Sequence, residues 1–168
     1  GLGLSVDTAA MSLLQRPAAT HVIVMPGTNN KARTTLDRLA AWHPQPLKVC
    51  DWTDRMDIYL RASDVVVGKP GGITVAEALA CGRPLLATRS LGGQEGFNVD
   101  FLTRHEVGGL VADGELLERV DALLRDRDVL QNMQRRAWLL GQRNGAAKVA
   151  QLALDLASVN RAVAQQTP

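Results

Sequence analysis

Short apolar runs rich in β-branched residues alternate along this chain with longer stretches whose apolar positions recur every three or four residues. The run at 21–25 has no polar face, the pattern of a strand covered on both sides. Similar runs at 47–50, 64–68, 84–88 and 109–112 predict four more strands. Between them the spacing predicts helices over 8–16, 29–41, 55–62, 74–81 and 95–104. The second of these carries Leu36, Leu39 and Ala40 on one stripe, Asp54 is placed to cap the third, and Pro17 closes the first. Pro44 and Pro46 make 42–46 a surface connection. Beyond 112 the pattern is helical, over 114–125, 129–140 and 146–164, with 165–168 expected to fray.

Strands separated by helices require parallel β-α-β units, so the expected class is α/β: a doubly wound parallel sheet with a C-terminal helical tail. No internal repeat or linker divides the 168 residues, which read as one domain: sheet and helices over 1–112, tail over 113–164. A hydrophobic fraction of 46% and a charged fraction of 21% suffice for a buried core and exclude wholesale disorder. The net charge of +2 is too small for a protein whose main task is neutralising nucleic-acid phosphates, so no nucleic-acid partner is expected. Aromatics, at 4%, leave little for stacking on bases. No apolar run has the length of a membrane span, and no signal sequence opens the chain. Cys50 and Cys81 form no cluster and suit a reducing, cytoplasmic compartment better than a disulfide scaffold.

In such sheets, ligands bind outside the carboxyl ends of the strands. After the third strand come Gly71 and Gly72, then a helix beginning near Thr74. Two glycines let a ligand approach the backbone, and a helix tip offers free N–H groups, which together suit a phosphate or diphosphate. A tight strand-to-helix turn that needs glycine for conformational reasons reads equally well. Thr74 and Glu77 match a capping box, in which the Glu77 carboxylate bonds the helix's own backbone. A carboxylate one turn into a diphosphate-binding helix could instead accept both hydroxyls of a ribose. After the fourth strand, Gln94, Glu95 and Asn98 sit on a loop entering a helix, with polar groups suited to vicinal hydroxyls. The plainer alternative makes Glu95 a favourable first-turn acid and Gln94 a solvated loop residue.

The opening Gly1 and Gly3 could form a second phosphate-facing loop, but position six is Val6, so no dinucleotide fingerprint is present. His21, His43 and His105 lie far apart and read as structural or surface residues. Asp126 and Asp128 have a D-x-D spacing but fall between tail helices, where solvated charge is the simpler reading. Arg125, Arg127, Arg135 and Arg136 read as a solvated face.

The blocks running from Val65 through Gly71, Gly72, Thr74 and Glu77 to Leu85, and from Gly92 to Asn98, resemble the C-terminal half of family 28 glycosyltransferases. The diacylglycerol glycosyltransferases are the nearest in pattern, and the peptidoglycan N-acetylglucosaminyltransferase is a more distant relative. The resemblance covers residues 1–111 and implies a GT-B fold, two Rossmann-like domains facing a cleft. This half would grip a UDP-sugar donor. Gly71, Gly72 and Ile73 would present amides to the diphosphate beside Thr74, Glu77 would hold the ribose, and Gln94, Glu95 and Asn98 would face the sugar. The turn at Asp51, Trp52 and Thr53 would frame the uracil, and Gly1 and Gly3 would lie under the phosphates. Asp51 departs from a usual Gly, and Gly92 from a common Pro. Such enzymes invert the anomeric centre without a metal or cofactor, so neither is expected.

The resemblance also implies a lipid acceptor bound by an N-terminal domain that would carry the catalytic base, so no catalytic residue is assigned here. Peripheral membrane association of the full-length protein follows. Family members enter this half through a central strand just before the glycine loop, whereas this chain begins at the loop. The first strand is therefore expected to be absent or supplied elsewhere, with self-association of the exposed edges. Two other readings are a UDP-sugar 2-epimerase, for which cleft carboxylates and a histidine cannot be placed, and a non-catalytic nucleotide-binding module.

Overall fold

The computed structural model describes residues 5–16, 20–44, 46–88, 93–112 and 114–164. The apolar runs form short strands: β1 (Val22–Val24), β2 (Leu47–Val49), β3 (Val66–Gly68), β4 (Leu85–Ala87) and β5 (Gly108–Leu110). Helices α1 (Val6–Leu14), α2 (Asn30–Trp42), α3 (Met56–Ala62), α4 (Gly72–Ala80) and α5 (Gln94–Arg104) alternate with them. The tail is α6 (Leu116–Arg125), α7 (Arg127–Leu140) and α8 (Gly145–Ala164). Every strand pair is parallel, as the alternation requires.

The strands divide into two sheets, β1-β2 and β3-β4-β5, instead of one. The register is Val22 opposite Leu47 in the first, and Val66 opposite Leu85 and Leu85 opposite Gly108 in the second. The α/β class and parallel sense are as expected. The break falls between β1 and β3, where no described strand bridges the two edges.

Helices cover both faces. On one, Ala9 and Leu13 of α1 and Leu116, Val120 and Leu123 of α6 pack against Val65, Val67 and Leu86. On the other, Val75, Ala78 and Leu79 of α4 and Leu102 of α5 pack against Val66, Leu85 and Val107. β4 is therefore buried along its whole length. A third cluster joins Ala10 and Leu14 of α1, Val22 and Val24 of β1, and Leu36 of α2. Arg16, 7% exposed, ties the end of α1 to α6 through Asp121 at 2.8 Å. Gly108 is a close-approach glycine: a Cβ there would lie 1.9 Å from the Leu85 carbonyl oxygen.

Several boundaries differ from expectation. α4 starts at Gly72, two residues before Thr74. α3 starts at Met56 with Arg55 at the cap position and no side-chain cap, so Asp54 does not cap it. Gly114 has φ +94°, which keeps it out of α6. Asp126 is the cap of α7, which answers the D-x-D spacing. Among the described residues no cluster of histidine, cysteine, aspartate or glutamate could hold a metal. The expectations for Pro17 and for 165–168 lie outside the described residues.

Candidate functional site

The glycine turn between β3 and α4 is where the sequence left two readings open. Gly71 takes φ −67° and ψ 150°, ordinary extended backbone, and neither Gly71 nor Gly72 has a positive φ. A Cβ at Gly72 would meet nothing within 4 Å, and one at Gly71 only Thr74 Oγ1 at 3.9 Å. The turn therefore does not need glycine for its own geometry. Among the described residues, what the glycines leave is open space in front of the helix tip.

That tip is also uncapped. Gly71 is the N-cap residue with no side chain over the helix, and the first intrahelical bond runs from the Val75 amide to the Gly71 carbonyl at 2.9 Å. The amides of Gly72, Ile73 and Thr74 precede it and carry no intrahelical acceptor, which is the ordinary state of a first helical turn. Gly71 differs: its own N–H donates to the Lys69 carbonyl at 2.9 Å. Ile73 is 76% exposed, so the tip faces solvent.

Because α4 begins at Gly72, Thr74 is its third residue and the capping box with Glu77 does not form. Glu77 is exposed one turn further in, and its carboxylate has no hydrogen-bond or ion-pair partner among the described residues. The carboxylate is thus available for an external partner.

Helix α5 is tied to the same corner. Gly93, at φ 55°, opens it without a side-chain cap, a conformation that favours glycine. Lys69 Nζ lies 2.6 Å from Glu95 Oε1, and Asn98 Nδ2 donates to the Pro70 carbonyl at 2.8 Å. Glu95 and Asn98 therefore brace the segment just before the glycines. Phe97 beside them is 77% exposed. The Lys69 side chain, half-exposed and one residue past β3, is the member of this corner that sequence reasoning passed over. Its place beside the glycines was the available signal. Gln94 opens α5, while Gly92, Gly1 and Gly3 fall outside the described residues.

The β2–α3 corner holds Trp52, 83% exposed, and Thr53, whose Oγ1 accepts from the Arg55 amide at 2.9 Å. Asp51 pairs with Arg33 of α2. Asp57, in the first turn of α3, accepts from Arg55 at 3.1 Å, and that bond is the main reason its carboxyl lies below the usual aspartate range. So the structure gathers Gly71, Gly72, Ile73, Thr74, Glu95 and Asn98 at the ends of β3 and β4. Trp52 and Thr53 follow β2 in the other sheet. His105 meets Phe101 in a tilted ring contact, with centroids 4.4 Å apart and the planes at 47°.

A helix tip with open amides, an adjacent lysine and an unpaired carboxylate one turn deeper can hold a diphosphate and a neighbouring diol. Comparison with known proteins gives the family and the fold. The family model for glycosyl transferases group 1 matches residues 10–138. A processive diacylglycerol beta-glucosyltransferase of Bacillus subtilis (strain 168) is 35% identical over 124 residues, covering 68% of this chain and 30% of that protein. A UDP-N-acetylglucosamine--N-acetylmuramyl-(pentapeptide) pyrophosphoryl-undecaprenol N-acetylglucosamine transferase of Rhodococcus opacus (strain B4) is 34% identical over 164 residues, covering 94% of this chain and 42% of that protein. These are the relatives the two sequence blocks led us to expect. The crystal structure of Acinetobacter baumannii MurG shares the fold with a TM-score of 0.71 at 19% identity, over 90% of this chain and 46% of that one. The chain thus spans less than half the length of each.

Proposed function

The chain belongs to the group 1 glycosyltransferases, and from that premise we propose that it forms the donor-binding half of an inverting UDP-sugar hexosyltransferase acting on a lipid acceptor. The observation that carries the reading is the tip of α4, uncapped and fronted by two glycines that the backbone itself does not require. The amides of Gly72, Ile73 and Thr74 take the diphosphate, and Gly71 contributes clearance. Glu77 accepts the ribose hydroxyls, Gln94, Glu95 and Asn98 face the sugar, and Trp52 and Thr53 frame the uracil. Gly1 and Gly3 complete the phosphate side.

In the reaction, an acceptor hydroxyl attacks the anomeric carbon as the bond from that carbon to the diphosphate oxygen breaks. The proton passes to a base outside this chain, and the charge developing on the diphosphate falls on helix-tip amides, which need no metal to do this work. A lipid acceptor follows from the relatives, whose names specify diacylglycerol and pyrophosphoryl-undecaprenol substrates. We place the whole protein at the cytoplasmic surface of a membrane; among the described residues no helix is long and apolar enough to cross one.

Calorimetry with UDP, UDP-glucose, UDP-galactose and UDP-N-acetylglucosamine, with and without a chelator, tests the reading. UDP should bind equally in both conditions and more weakly to Glu77→Ala. Absence of UDP binding, or indifference to that substitution, would sink the donor site.

A further inference from the structure

The turn that leaves β2 is held from both ends. Helix α2 lies against the β1-β2 sheet through Leu36, fully buried, and Leu39, which cluster with Val22, Val24, Leu47 and Val49. A helix that follows one parallel strand runs back along it, so the first turn of α2 stands at the carboxyl ends of β1 and β2. Arg33, one turn ahead of Leu36, reaches from there to the chain leaving β2. Its guanidinium meets Asp37 of its own helix at 3.4 Å and crosses to pair with Asp51 of the turn. Of the influences that lift the Arg33 guanidinium above its ordinary range, the bond to Asp51 is the largest.

Just before the turn, the Cys50 amide donates to the Val24 carbonyl at 2.8 Å and ties the segment to β1. Just after it, Thr53 Oγ1 accepts from the Arg55 amide at 2.9 Å, and Arg55 Nε reaches Asp57 at 3.1 Å. Between these anchors the Trp52 side chain is turned to solvent, so its packing contributes little to fixing the turn. The Arg33–Asp51 pair joins that middle part to a different element. Asp51 does not have a positive φ, so the backbone here does not call for the glycine that is usual at this position.

We propose that Arg33 and Asp51 are positioning residues for the nucleobase: their pair latches the turn to α2 and sets the backbone of Trp52 and Thr53 before the donor arrives. The inference rests on the donor reading above, in which that turn frames the uracil. A glycine in place of Asp51 would leave the turn to be ordered by the base itself. The latch orders it in advance, so less freedom is lost on binding. An exposed ion pair contributes modestly, so the effect is small, but it is selective. It falls on the base and spares the diphosphate, whose helix tip follows a strand of the other sheet.

The test compares UDP with inorganic pyrophosphate by calorimetry at low ionic strength, on wild type, Arg33→Ala, Asp51→Ala and the double variant. Relaxation of the Trp52 and Thr53 amides is followed by NMR in the ligand-free chains. Each single substitution should weaken UDP binding by about threefold, leave pyrophosphate binding unchanged and lower the order of both amides. The double variant should lose no more than either single one, as members of one pair do. Asp51→Ala keeps the Arg33–Asp37 contact, which separates the latch from the pair within α2. Arg33→Lys, which keeps the charge without the planar fork, should recover part of the loss, and about 0.5 M salt should erase most of it. UDP binding that the single variants leave intact, pyrophosphate weakened as much as UDP, additive losses, or unmoved amides overturn the inference and leave the donor site standing. A wild type that binds no UDP overturns the donor reading, and the inference falls with it.

Discussion

Helix α7 begins under the carboxylate of Asp126, which accepts from the Val129 amide at 3.0 Å, and α2 begins under Asn29, which accepts from Ala32 at 3.0 Å. Helix α4 begins at Gly72 behind Gly71, and no side chain of the described residues caps its tip. All three ends present the same unsatisfied amides and the same positive end of a helix dipole. A side-chain cap answers that need internally and closes the end. The end of α2 also follows a strand directly, so position in the fold does not by itself make an anion site. What distinguishes α4, among the described residues, is the combination of an uncapped tip, glycine clearance and a Glu77 without a partner one turn deeper.

The sharpest way to break this contrast is to cap α4. Gly71 already has extended backbone, and a Cβ there meets only ordinary contact, so Gly71→Asp should fold. It should raise stability by about 0.3–1 kcal/mol, as a cap and first-turn acid do. UDP affinity should fall by about a hundredfold, because a carboxylate facing a diphosphate costs several kcal/mol. Opposite signs in thermal denaturation and calorimetry are the expected signature; a capped tip that still binds UDP at full strength ends the helix-tip assignment.

Glu77→Ala comes next. Loss of a charge-assisted hydrogen bond to ribose should weaken UDP binding by about tenfold. Thermal stability should move by no more than about 0.5 kcal/mol, since no capping box is lost. A marked drop in melting temperature would mean that the carboxylate serves the helix after all. Asp126→Ala reverses the pattern. Removing that cap should cost about 1 kcal/mol on denaturation and leave UDP binding unchanged. Smaller again is Lys69→Ala. Its bond to Glu95 is half-exposed, so stability should change by less than about 1 kcal/mol, while UDP affinity drops by about threefold. An affinity that rises would show Lys69 to be an obstacle at the site and not a helper.

The residues that carry this contrast were unequally legible in sequence. Asn29 was placed at the head of its helix by pattern alone, and Gly71 and Gly72 stood out because they follow a β-branched run. The start of α4 was misplaced because Thr74 and Glu77 imitate a capping box, whereas the true start has glycines, which carry no cap signature. The Lys69–Glu95 and Asn98–Pro70 contacts join the turn after β3 to helix α5, and no local periodicity encodes them. The division into two sheets was illegible for the same reason. Each strand announces itself by its own side chains, but which edges pair is decided by contacts distant in sequence.

Helix α3 offers the smallest test, since its end is finished in a third way. Arg55 occupies the cap position without bonding the helix amides, and Asp57 supplies first-turn negative charge while accepting from Arg55 at 3.1 Å. That bond holds the Asp57 carboxyl below its ordinary range in the folded chain. A depressed folded value means the stabilisation is complete above the unfolded aspartate range and is lost as pH falls through the folded one. Melting curves recorded from neutral to acid pH should therefore separate wild type from Asp57→Asn slightly at neutral pH and converge as the carboxyl protonates. The site is exposed and the gap should be the least of the set. Curves that keep a constant separation into acid would show that the substitution acts through something other than the charge at this helix end. The first-turn acid of α3 would then no longer stand beside the side-chain caps of α2 and α7 as an internal answer to a helix tip.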